Sequence, residues 1–221
     1  KKVDRSKMQD QYKKMARSML AVDEAVKKIM DTLIQENILN ETVIIFASDN
    51  GYSFGSHRKV GKTCAYEECA KVPFMIRYPG ATQRINTNLV SLVDIAPTLA
   101  ELAQTGTTNP VDGQSLVGLL SGETDNVRDS LLIEYRAKAL TDTDGDPEAG
   151  DKVYSAVRTL THKFVDYYTG ESELYDLKAD PFEMKNQTKN SNYANIKTQL
   201  KAELESLRTN PGATFSSTLA P

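Results

Sequence analysis

The chain has 221 residues, 39% of them hydrophobic, which is enough for one sizeable core or for a core with a small subdomain. Its 27 Lys and Arg against 30 Asp and Glu leave a net charge of −3, so no global basic field favours a nucleic-acid partner. No apolar run reaches the about 18 residues of a helical membrane span, and the basic opening KKVDRSK is not followed by the apolar core of a signal peptide.

Residues 4–36 carry Met8, Tyr12, Met15, Met19, Val22, Val26, Ile29 and Leu33 at three- and four-residue intervals. That period is one apolar stripe on a long helix, with Lys13, Lys14, Lys27 and Lys28 off it, and the stripe is expected to pack on a core. A connection at 37–41 leads to a strand over Val43, Ile44, Ile45, Phe46 and Ala47, apolar without alternation and so expected to be buried on both faces of a parallel sheet. Helix plus strand make half of a βαβ unit.

The strand stops at Ser48-Asp49-Asn50-Gly51. At the carboxyl end of a strand in an open α/β sheet, an acid and an amide point into the crevice where ligands bind, and both are hard oxygen donors of the kind Ca²⁺ or Mg²⁺ selects. Asp-Asn-Gly is also ordinary turn chemistry. Its company argues for more: His57, Arg58, Lys59 and Lys62 follow within twelve residues of Asn50, in a loop punctuated by Gly51, Gly55 and Gly61. Cations beside a hard-metal site point to an anionic substrate. Cys64 and Cys69, five apart, fit neither a zinc knuckle nor Cys-x-x-Cys redox chemistry. They read as small buried packing residues, with a local disulfide as the other option.

Residues 73–78 read as a second strand ended by Pro79-Gly80, and residues 88–92 as a third. Asp94 reads as the cap of a helix carrying Ile95, Leu99 and Leu102, followed by a loop over 104–114 and a short helix over 115–120. Short strands over 131–136, 152–158, 162–168 and 173–177 then indicate a small antiparallel sheet. Between the first two lies the acidic stretch 141–151, in which Asp142, Asp144 and Asp146 alternate without the Gly and flanking helices of an EF-hand, so a mobile loop is expected. Residues 192–207 form a final amphipathic helix through Ile196, Leu200, Leu204 and Leu207, and residues 211–221 a flexible tail. The fold class is thus α/β: part of a mostly parallel sheet flanked by helices, then a small antiparallel sheet with a carboxy-terminal helix. The expected division is 1–125 for the core with the metal residues, 126–210 for the subdomain and 211–221 for the tail.

Five segments in order, SDNGYSFGSHRKVGK (48–62), YEECAKVPFMIRYPG (66–80), LVSLVDIAPTLAELA (89–103), DGQSL (112–116) and ELYDLKADPFE (173–183), resemble the carboxy-terminal half of formylglycine-dependent sulfatases of the alkaline phosphatase superfamily. The resemblance implies a sulfuric ester hydrolase with one divalent cation, calcium ahead of magnesium. Asp49 and Asn50 match the later pair of metal ligands, Lys62 the lysine that contacts the sulfate, and His57 a loop histidine of some subfamilies. It also implies a small-molecule or carbohydrate sulfate ester as substrate, no nucleic-acid or membrane partner, and a secreted, periplasmic or lysosomal setting. The family's Cys/Ser-x-Pro-x-Arg nucleophile motif, its early Asp-Asp pair and its Lys-x-His segment do not occur in these residues. The chain is therefore expected to be a carboxy-terminal piece whose partner is the amino-terminal half. Asp49 and Asn50 offer about three oxygens where Ca²⁺ takes about six to eight, so the piece by itself is expected to be inactive. A phosphodiesterase or phosphonate hydrolase of the same superfamily, or a sulfatase-like binding module, are the alternatives.

Overall fold

A computed structural model describes residues 4–107, 109–136 and 153–209. The acidic stretch 141–151 and the tail 211–221 lie outside them. The contacts divide the chain into two compact units, Lys1–Gln83 and Arg84–Pro221, so the expected boundary at 125/126 falls inside the second.

In the first unit, helix α1 spans Arg5–Gln35 and is capped by Asp4, whose carboxylate accepts from the backbone N–H of Ser6 and Lys7. The stripe is helical, as its period predicts, but its expected burial is corrected. Met8 is buried, whereas Tyr12, Met15, Met19, Val22, Val26 and Ile29 are 37–55% exposed. An amphipathic period specifies that a helix has an apolar face, and burial then needs a facing layer. Among the described residues that cover is slight, an edge-on contact of Tyr12 with Phe54 at 5.5 Å between ring centroids.

Strand β1 is Ile44–Ala47. A short hairpin follows, β2 Ser53–Phe54 and β3 Val60–Gly61, then the one-turn helix α2 Glu67–Ala70 and strand β4 Phe74–Arg77. The α/β class holds, but β1 pairs with β4 antiparallel, Ile45 opposite Ile76, and no parallel pair occurs among the described strands. A continuous apolar run is silent on the direction of its neighbour, and the partner that the described residues give β1 is antiparallel. Ile44, Ile45 and Phe46 are half-buried rather than enclosed on both faces. Arg77 ties the pair to its connection by donating to the carbonyls of Leu39 and Thr42 and to Asn40 Oδ1.

In the second unit, residues 88–92 form no strand. The chain instead turns through a 3₁₀ segment at Leu92–Asp94 into α3, Ile95–Leu102, and later α4, Val117–Ser121. Asp94 causes the turn. Fully buried, its carboxylate accepts from Ser91 N at 2.7 Å and Gln114 N at 2.8 Å, and from both terminal nitrogens of Arg128 at 2.5 and 2.6 Å. Its side chain makes no capping bond to α3, so the expected helix cap is corrected to a junction between three segments. Gly113 is required there, because a Cβ would lie 2.0 Å from the Val93 carbonyl oxygen. Two of the family-like segments thus meet at a structural ion pair.

The antiparallel sheet is as expected, four strands in the order β5 Ser130–Tyr135, β6 Tyr154–Thr159, β7 His162–Tyr167 and β8 Ser172–Asp176. Leu132, Val157, Phe164 and Leu174 stand in register across it. Three of the four form one core with Leu200, Leu204 and Leu207 of helix α5, Ala194–Thr209, and Leu132 packs against its edge. On the opposite side of β7, Lys163 is fully buried and its Nζ meets Glu183 Oε1 at 2.6 Å. Removing either partner alone would strand a buried charge, at a cost of about 3–5 kcal/mol.

Glu203 of α5 is buried, and that burial raises its carboxyl above the ordinary glutamate range, an effect opposed by the Ser130 hydroxyl and reinforced by Asp129. A raised folded-state pKa means the native chain holds the proton more tightly than the unfolded one. Its stabilising effect is complete below the unfolded pKa and lost as pH rises through the folded value. Glu203→Gln is therefore expected to raise the melting temperature at pH 7, with the gain vanishing as pH falls below about 4.3. Thermal melts of both proteins across pH check this, and an equal gain at every pH would exclude the titration of Glu203 as its source.

Candidate active site

Strand β1 delivers Ser48, Asp49 and Asn50 at its carboxyl end. Asp49 is exposed, and its Oδ1 accepts from Asn50 N at 2.8 Å. The Asn50 amide nitrogen donates to the Gly51 carbonyl, and Ser48 Oγ donates to the Asn50 carbonyl. Asp49 Oδ2 and Asn50 Oδ1 accept no hydrogen bond from the described residues. A carboxylate and an amide oxygen side by side suit a hard cation. They supply part of its shell, since no group of three or more His, Cys, Asp or Glu that could hold a metal occurs among the described residues.

Gly51 closes the turn for a reason other than backbone freedom. Its N–H donates to the Cys69 carbonyl at 2.8 Å, and a Cβ would fall 2.0 Å from the Glu68 carbonyl oxygen. The residue is glycine because helix α2 lies directly against it.

The hairpin pairs Ser53 with Gly61 and Phe54 with Val60, which places His57 at its tip and Lys62 just beyond its end. Ser53 is buried and holds the tip closed, its hydroxyl bridging to the carbonyls of Ser56 and Lys59. His57 and Arg58 both adopt left-handed backbone, φ 51° and 58°. Each such non-glycine residue costs of order 1–3 kcal/mol and persists where its surroundings hold it. The His57 ring is held by stacking on Tyr66, 3.7 Å between centroids and 13° between planes. Lys62 is exposed, directly after buried Gly61 at φ 119°.

Cys64 and Cys69 form a disulfide, so the reading of two free packing residues is corrected. Both are buried, as that reading expected, but α2 folds the chain back until their Cα atoms are 5.6 Å apart. Sequence spacing alone does not show that return. The disulfide-closed segment is also what sequence reasoning missed at the site. Cys69 holds Gly51 through its carbonyl, its Sγ lies 3.5 Å from the Gly61 carbonyl, and Tyr66 carries His57.

The family described as N-sulphoglucosamine sulphohydrolase, C-terminal, matches residues 55–210, and the family described as Sulfatase matches residues 1–105. The chain belongs to the sulfatase family. This sulfatase chain is 32% identical to an arylsulfatase of Volvox carteri over 91% of its own length and 35% of that protein's. It is also 32% identical to an N-acetylglucosamine-6-O-sulfatase of Bacteroides thetaiotaomicron, covering 85% of this chain and 34% of that one. Among solved structures, one in complex with its substrate D-glucosamine-2-N,6-O-disulfate superposes with a TM-score of 0.75 at 30% identity, over 87% of this chain and 39% of that chain. A phosphonate monoester hydrolase of Agrobacterium radiobacter gives 0.72 at 28% identity, over 85% and 39%. The sulfatase chain thus spans about a third of the length of the curated relatives it matches.

The contact at Gly51 gives a direct test. Gly51→Ala forces its turn and α2 apart and is expected to cost at least about 1–3 kcal/mol, the range for overpacking. Chemical denaturation measures it, and an unchanged midpoint would mean that α2 does not lie against the turn.

Proposed function

We propose that this chain is the carboxy-terminal part of a sulfuric ester hydrolase acting on a sulfated carbohydrate, with residues 1–125 in its α/β core and 126–210 as a subdomain. The observation that carries the reading is that Gly51 and Gly61, the neighbours of Asn50 and Lys62, and the His57 ring all lie against one disulfide-closed segment, in a chain of the sulfatase family. Sugar sulfate as the substrate class is supported by the N-acetylglucosamine-6-O-sulfatase relative and by the glucosamine disulfate complex. The self-contained core of β5–β8 and α5 supports the subdomain.

Asp49 and Asn50 would hold a divalent cation, calcium ahead of magnesium as the sulfatase resemblance implies, and the remaining ligands and the formylglycine nucleophile would come from the part of the whole enzyme that this chain does not span. When bound, the cation supplies positive charge against the sulfate ester. Lys62 would add a fixed ammonium against a sulfate oxygen, stabilising charge that develops as the ester bond breaks. His57, its ring fixed on Tyr66, would face the same group as a positioned donor or acceptor. The exposed stripe of α1 would be the surface on which the amino-terminal half packs.

The phosphonate monoester hydrolase neighbour favours a second reading, in which the same residues serve a phosphonate ester. Turnover of an aryl sulfate against an aryl phosphonate by the whole enzyme separates the two.

Lys62→Ala in the whole enzyme is expected to lower kcat/KM by about 100-fold, the usual loss for one electrostatic contact, with an unchanged melting temperature. Lys59→Ala should change little, and equal effects at both positions would reduce the loop to a diffuse positive field. Asp49→Ala is expected to weaken calcium affinity and turnover together, both read on the whole enzyme by calorimetry and steady-state kinetics. An Asp49→Ala enzyme with both unchanged would remove Asp49 from the metal site.

A further inference from the structure

We propose that the Cys64–Cys69 disulfide is the positioning element of the active-site loop, so that the site assembles only in the oxidised chain. The proposal rests on the reading of Asp49, Asn50, His57 and Lys62 as that site. Two ties and one close contact converge on the segment the bond closes. Gly51, next to Asn50, donates to the Cys69 carbonyl and leaves no room for a Cβ against Glu68. His57 stacks on Tyr66, which lies within the closed segment and is itself buried. Gly61, next to Lys62, has its carbonyl 3.5 Å from Cys69 Sγ.

Helix α2 by itself is too short to be a stable helix. Helix α2 has four residues and no side-chain cap, far below the about 12–15 residues at which an isolated helix becomes even marginal in water. The bond supplies what the helix lacks, keeping the Cys69 carbonyl under Gly51 and Tyr66 under the left-handed His57. Cys64 and Cys69 are 6% and 5% exposed, so the bond sits beneath the loop and not on its surface.

Forming it removes two electrons and two protons from a pair of thiols, and a disulfide donor accepts them by thiol–disulfide exchange. Such bonds persist in oxidising compartments, so the proposal also assigns this enzyme's maturation to one. Reduction by a phosphine or dithiol breaks the S–S bond and returns two thiols, after which α2 is free to leave the turn.

The test follows amide hydrogen exchange in the whole enzyme before and after reduction with a phosphine, with DTNB confirming that two thiols are released. A Cys64→Ser/Cys69→Ser variant serves as a second route to the open state. The expected result is that the Gly51 amide exchanges at least about tenfold faster, while strands β5–β8 keep their protection and reoxidation restores both Gly51 protection and calcium affinity. Unchanged Gly51 exchange after confirmed reduction would overturn the proposal. Loss of protection in β5–β8 as well would overturn it too, since the bond would then hold the whole fold and not the loop. Failure of the functional reading has a different signature: an oxidised enzyme that binds no calcium and turns over no sulfate ester, whatever its exchange pattern.

Discussion

The bond from Gly51 N to the Cys69 carbonyl is the constraint on which the candidate site depends. It joins the turn that ends β1 to a segment eighteen residues later, at a separation no side chain larger than hydrogen tolerates. A strand end alone would present Asp49 and Asn50 on a free turn. Docked against α2, the turn shares one disulfide-closed support with His57, through Tyr66, and with Gly61, the neighbour of Lys62. The left-handed backbone at His57 and Arg58 fits this arrangement, because strain persists where surrounding contacts over-determine the conformation.

The second unit is organised by buried charge. Asp94 with Arg128 holds the α3 and α4 segments, and Lys163 with Glu183 holds the outer side of the small sheet. Each pair is nearly sealed from water, so it adds little net stability as a pair, while loss of either partner alone would leave a costly lone charge. The network at half-buried Asp176 works through hydrogen bonds. Burial alone would raise its carboxyl, but hydrogen bonds from Ala179 N, Tyr193 OH and Lys178 N and the nearby His162 outweigh it and hold the group below the usual carboxylate range. The family-like segments around 89–116 and 173–183 therefore serve architecture, while that around 48–62 holds the residues proposed for the site.

The α1 stripe shows the limit of pattern reasoning from the other side. Its period specifies a helix with an apolar face and says nothing of what covers that face, which remains exposed among the described residues. A helix covered by so little of its own unit fits a chain that spans about a third of its relatives' length.

The sequence by itself determined the elements whose signal is local. The 3.6 period marked α1 and α5, and short strand-like runs separated by turns marked the four strands of the small sheet, while Asp49, Asn50, His57 and Lys62 are candidates that donor type and the family-like loop single out. Tertiary structure alone decided what depends on residues distant along the chain. It set the antiparallel partner of β1, turned Asp94 from a helix cap into an ion pair with Arg128, and brought Cys64 and Cys69 within bonding distance. Spacing, charge and propensity describe a residue's neighbours along the backbone. Which carbonyl lies beneath Gly51 is settled by how α2 folds back, and no local preference of its four residues encodes that.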